Sequence, residues 1–135
     1  MKFLCLGFAD QERLNEMSPG EQEALIQECL AYDDLLRVQG IWGEGHALQG
    51  VNTAKTIRLA TGKVTVTDGP YAETKEQLGG IGVLEARDMQ EAVEVMSKHP
   101  GVRFGPWEIR PIDEAFEAYI HDQLELLAAK RQSSI

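Results

Sequence analysis

Basic residues are scarce in this chain. Thirteen Lys and Arg stand against 22 Asp and Glu among 135 residues, a formal net charge of -9. Non-specific nucleic-acid binding needs a basic footprint, and so does adhesion to an anionic membrane surface; the balance argues against both. Cysteine is scarce too. Cys5 and Cys29 are too few for a disulfide scaffold and read as buried free thiols in a reducing cytoplasm. Of the three histidines, His46, His99 and His121, no two stand at metal-ligand spacing, so no metal site is expected. His99 and His121 read as surface residues at a helix end and on a helix face. No run approaches the roughly 18 apolar residues of a membrane helix. The apolar start, Phe3 to Phe8, is too short for a signal peptide. There is no internal repeat, low-complexity segment or linker, so residues 1–135 read as one domain.

What is present is an ordinary apolar fraction, 43%, arranged with clear periods. Met1 to Phe8 reads as a strand. Ser18-Pro19-Gly20-Glu21 opens a helix: Ser18 caps, Pro19 fits the first position and Glu21 closes a capping box. Leu25, Cys29, Tyr32 and Leu36 form its stripe, and Gly40 ends it. Ile41 to Leu48 is a strand with Trp42, Glu44, His46 and Leu48 on one face. Lys55 to Ala60 and Lys63 to Thr67 form a hairpin about Thr61-Gly62. Ile81 to Arg87 is a strand, and Asp88 caps a second helix with Glu91 three residues on. Trp107 to Ile112 is the last strand. Asp113 caps a third helix, about 113–128, with Phe116, Tyr119, Ile120, Gln123, Leu124 and Leu127 inward; residues 129–135 should fray. The order is that of an α+β sandwich of ferredoxin-like type. Helices on one side leave the other sheet face bare, so a second copy is expected to cover it.

The stretch from Val64 to Gly80, VTVTDGPYAETKEQLGG, is the densest in polar groups. Val64, Val66 and Asp68 share a strand face. If the valines point inward, Asp68 ends that face at the mouth of the core. Two compatible readings are open: a carboxylate accepting backbone N–H bonds in an Asx-turn, or an acid–base group. Tyr71, Glu73, Lys75 and Glu76 crowd beside it, either as an ion-pair cluster with Arg58 or as ligand-binding groups. Arg58 suits a carboxylate or phosphate, or clamps Glu73. His46 with Glu44 either faces a ligand or lies on an edge strand in water. Gly79-Gly80-Ile81-Gly82 leads into a strand, so close backbone packing explains it better than phosphate binding.

Asp68-Gly69-Pro70-Tyr71-Ala72-Glu73-Thr74-Lys75-Glu76, followed by Leu78-Gly79-Gly80, resembles the signature of the DGPF-type, YCII-related family. Thr56-Ile57-Arg58, Glu85-Ala86-Arg87-Asp88 and Glu108-Ile109-Arg110-Pro111 fit the same family. The resemblance implies a ferredoxin-like subunit, usually in a homodimer whose sheets form a dimeric α/β barrel, with a cleft under the sheet near the signature. It also implies a histidine–aspartate pair in the wider family, to which acid–base chemistry is ascribed. This chain has no histidine in its first helix, where that family tends to place one. No cofactor is implied. Two function classes follow. One is a cytoplasmic dimer with a small-molecule site, its acid–base chemistry carried by Asp68 with Arg58, Tyr71, Glu73, Lys75, Glu76 and His46 around it. The other is a non-catalytic interaction or regulatory subunit, as relatives linked with sigma-type transcription regulators suggest.

Overall fold

The computed structural model describes residues 1–134; the expected fraying tail includes Ile135, which lies outside them. The elements in chain order are β1 (Lys2–Asp10), α1 (Gln11–Glu16), α2 (Pro19–Val38), β2 (Trp42–Ala47), β3 (Lys55–Ala60), β4 (Lys63–Asp68), β5 (Glu76–Glu85), α3 (Met89–Ser97), β6 (Trp107–Pro111) and α4 (Glu114–Ser133). Short 3-10 turns occupy Val51–Thr53 and Pro100–Arg103.

Four strands make an antiparallel sheet in the order β2-β5-β1-β6. With α2 and α3 as the connections, that is the ferredoxin-like arrangement. Phe3 pairs with Leu84 and Cys5 with Gly82 on one face. These residues pack with Leu36 of α2 and with Ala92 and Met96 of α3 to form the core. The opposite face carries Leu4, Leu6, Ile81 and Val83, none of them fully buried.

The local signals act as their chemistry requires. The Ser18 hydroxyl accepts from the Glu21 N–H at 3.1 Å, and the Glu21 carboxylate accepts from the Ser18 N–H at 3.3 Å. Asp88 accepts from Glu91 N–H at 2.9 Å, which holds its carboxyl below the ordinary carboxylate range. Asp113 accepts from Phe116 N–H at 2.9 Å. Thr61 and Gly62 both have positive φ, 47° and 79°, as a two-residue hairpin turn demands. Ile57 stands opposite Val66, the expected register.

Four expectations change. A short helix, α1, follows β1, capped by Asp10, which accepts from the N–H groups of Glu12 and Arg13. β5 begins at Glu76, so Gly79 and Gly80 lie inside a strand rather than ahead of one. At Gly80 the neighbouring strand comes close, a Cβ there meeting His46 O at 3.3 Å. Packing is tighter still at two other glycines of the sheet: a Cβ on Gly82 would sit 2.3 Å from the Trp42 ring, and one on Gly7 2.9 Å from Trp107. The bare backbone at Gly82 and Gly7 lets both indoles lie against the sheet. Third, β3 and β4 form a separate two-stranded arm rather than joining the main sheet. Fourth, α4 runs to Ser133 and buries no residue. Phe116, Tyr119, Ile120, Gln123, Leu124 and Leu127 are exposed, because the helix departs from edge strand β6 with no layer against it.

Candidate functional site

β4 ends at Asp68, and the chain turns through Gly69 at φ 104°. The turn is tied at its start to the arm. Gly69 N–H donates to Ala54 O at 2.8 Å, and Thr56 Oγ1 donates to Gly69 O at 2.9 Å. Arg58 donates to Tyr71 O at 2.9 Å and lies 5.2 Å from the centre of the Tyr71 ring. The turn's other end is tied to the β1–α1 corner. There Lys75 Nζ stands 3.6 Å from Asp10 Oδ2 and 3.9 Å from Glu12 Oε2. Gln77 Nε2 closes the turn on the carbonyls of Thr74 and Ala72, at 2.7 and 3.2 Å.

This geometry corrects the placement of Asp68. Its side chain is 83% exposed and pairs with Lys55 across the ladder. It sits neither at a core mouth nor under a set of backbone N–H groups. The valine phase was right, but Val64 and Val66 face solvent, because the arm carries no second layer. Arg58 and Lys75 are engaged with Tyr71, Asp10 and Glu12 rather than with Glu73 or Glu76, both of which are exposed. Glu73 makes no ion pair among the described residues.

His46 also moves. The β2–β5 register shifts between Trp42 and Gly45. One extra residue there sends Trp42 to the helix side, opposite Leu84, and His46 to the open side, opposite Ile81. His46 lies on an edge strand and contacts Glu44 at 3.0 Å, both groups largely in water.

The turn and the loop after β2 wall one end of the open sheet face. Between them is a cavity of about 750 Å³. Leu6, Phe8, Leu48, Val51, Pro70 and Leu78 form its apolar walls. Tyr71, Thr74, Glu76, Gln77, Glu108 and Arg110 bring the polar groups, with Arg110 donating to Glu108 at 2.6 Å. Of the residues singled out from sequence, Tyr71 and Glu76 line this cavity; Asp68, Arg58, Glu73, Lys75 and His46 do not.

The opposite side of the sheet holds a group that sequence reasoning missed. His99 is 4% exposed, not a surface residue. Its Nε2 lies 2.7 Å from Oδ1 of Asp33, on α2, and its Nδ1 accepts from Gly101 N–H at 2.9 Å. A nitrogen that accepts carries no hydrogen, so Nε2 is the donor to Asp33. Tyr32, Trp42 and Trp107 surround the ring at 5.4, 6.4 and 5.0 Å between centroids. A histidine–aspartate pair therefore exists, with its aspartate on the first long helix and its histidine after α3. Both ring nitrogens are already engaged, and the pair ties α2 to the 100–103 turn, as does Arg103 with Glu28. Its one sequence signal was His99-Pro100-Gly101 as a helix stop, where a histidine turns back to bond its own loop.

The thiols are not poised for chemistry. Burial pushes Cys5 up to about 11. Cys29 is also raised, by burial first and then by the charge of Asp33. Among the described residues no three His, Cys, Asp or Glu groups are placed to hold a metal ion. No helix there is long and apolar enough to cross a membrane.

A YCII-related domain model matches residues 1–115. The chain belongs to the YCII-related family. An uncharacterised protein of Rhizobium meliloti is 28% identical over 116 residues, covering 83% of this chain and 92% of its own. Among solved structures, a 5-chloro-2-hydroxyhydroquinone dehydrochlorinase of Burkholderia phenoliruptrix, in complex with 2,5-dihydroxybenzoquinone, matches 84% of this chain and 94% of its own. That likeness has a TM-score of 0.46 at 15% identity. The α4 helix lies almost wholly beyond the matched domain.

Proposed function

We propose that this YCII-related protein works as a homodimer that binds a small, largely apolar molecule on the open face of its sheet, beneath the 70–77 turn. The cavity described above carries this reading. It is within the usual size for a small-molecule site, mostly apolar, with a few converging polar groups. Arg110, paired with Glu108, offers donors to a carbonyl or acid group of the ligand, and Glu76 offers an acceptor to a hydroxyl. The half-buried apolar residues Leu4, Leu6, Ile81 and Val83 on the open face support a second copy that closes the site from above. On this reading Asp68 and Lys55 hold the turn in place, and acid–base work, if the ligand undergoes any, falls to Glu76 or Glu108 in the cavity wall.

The test uses anilinonaphthalene sulfonate as a probe with an apolar body and one anionic group. The full chain should sediment as a dimer at micromolar concentration and enhance the probe's fluorescence. Ala72→Trp, which fills the cavity from the turn, should leave the dimer intact and weaken probe binding by tenfold or more. A monomer whose probe binding is untouched by Ala72→Trp would overturn the proposal.

A further inference from the structure

We infer that α4 is a second self-association element, which pairs antiparallel with α4 of another copy of this chain. Phe116, Tyr119, Ile120, Leu124 and Leu127 form one apolar stripe, and all are exposed. Nothing among the described residues covers them: α4 buries no residue. Glu117, Leu124 and Arg131 recur at intervals of seven residues, so they line one edge of the stripe. A two-fold axis crossing at Leu124 therefore sets each Glu117 beside the Arg131 of the other helix, with the two Leu124 side chains between them. A parallel pair would instead set Glu117 against Glu117 and Arg131 against Arg131. The charges along α4 favour the same direction. Glu114, Glu117, Asp122 and Glu125 occupy its first two-thirds, and Lys130 and Arg131 its end. The opposite charges meet only when the helices run in opposite directions. The occupant is thus a second copy, and the contact does not depend on the sheet-face pairing proposed above.

The experiment is disulfide trapping in the full chain. Leu124→Cys, made with Cys29→Ser so that the remaining thiol is the buried Cys5, should form a covalent dimer under mild oxidation at micromolar concentration. The same chain without Leu124→Cys should not. Adding Arg131→Glu should slow trapping several-fold by placing like charges together. Adding Glu117→Arg as well should restore it. Leu124, Arg131 and Glu117 are exposed and Cys29 is half-buried, where serine is nearly isosteric, so the fold should survive, and circular dichroism checks that. Absence of trapping, or trapping indifferent to the charge reversals, overturns the inference. A helix that instead packs on the apolar arm of a partner would trap poorly and show no rescue.

Discussion

The two sides of the sheet treat their ionisable groups in opposite ways. On the arm and turn at the edge of the open face, Asp68, Glu73, Lys75 and Glu76 crowd into one short stretch beside Arg58 of β3, and all of them are exposed. Charges there keep their water, so their clustering costs little and pairs between exposed groups contribute about 0–1 kcal/mol each. Asp10, the buried partner of Lys75, is the exception, and it is also bonded to two N–H groups of α1. On the helix side a polar pair, His99 with Asp33, sits among three aromatic rings with both imidazole nitrogens engaged, while the buried Trp107 Nε1 beside it has no partner among the described residues. A polar group there is costly unless it is bonded. Density of charged residues in this sequence therefore marks a surface, whereas the buried polar pair is assembled from residues 66 positions apart.

The sharpest test of that contrast is the buried pair. His99→Ala removes the link from α2 to the 100–103 turn and leaves a void among Tyr32, Trp42 and Trp107. It should cost about 3 kcal/mol in urea unfolding. Asp33→Asn keeps an acceptor and should cost about 1 kcal/mol. If His99→Ala unfolds like the parent but loses a ligand or activity, the pair belongs to a site and the contrast fails.

Gly82→Ala probes the same side without touching charge. The added methyl meets the Trp42 ring at 2.3 Å, so the indole must leave its place on the sheet. Overpacking of this kind costs about 1–3 kcal/mol. Tryptophan fluorescence should shift along with the loss of stability. An unshifted spectrum with parental stability would show that the Trp42 packing is not fixed by the bare backbone.

Cys5 extends the comparison to pH. Its thiol titrates at 9.0 when unperturbed and at about 11 in the fold. Between those values the unfolded chain gives up a proton that the folded chain keeps, so stability falls as pH rises. Below pH 9.0 and above about 11 the two states titrate alike, and the slope from this group vanishes. Cys5→Ala should lower stability at neutral pH but flatten that alkaline decline. Equal slopes in parent and variant would remove burial as the cause.

Much of the fold was legible because its signals are local. The helix caps, the Thr61-Gly62 turn and the helical stripe of α2 depend on neighbours a few residues away. The errors fell where a distant surface decides. Gly79 and Gly80 read as a break because the sequence does not display His46 and Gly7 beside them. Trp42 and His46 read as one face because a single-residue register shift has no residue signature. Val64 and Asp68 had the right phase and the wrong surroundings, because period two tells which residues share a face but not what lies over it. Tyr71 and Glu76, read from sequence as crowding beside Asp68, line the cavity through the turn. Glu108 and Arg110 were read as part of the last strand, and only the β1–β6 register places them over the open face.

The smallest expected effect belongs to the residue that sequence ranked first. Asp68→Asn keeps the shape of the side chain and removes the charge opposite Lys55. Both groups are mostly in water, so the ion pair should contribute less than about 1 kcal/mol, and less again at high salt. The turn keeps its other ties: Gly69 to Ala54, Thr56 to Gly69 and Arg58 to Tyr71. Thermal unfolding in low and high salt should therefore differ little between variant and parent. Probe binding in the cavity should also persist, since Asp68 does not line it. A loss of binding or turnover with stability intact would reverse the reading. It would mean that Asp68 reaches the ligand from the turn of this copy or its partner, and that charge displayed on a surface was, in this one place, the working group.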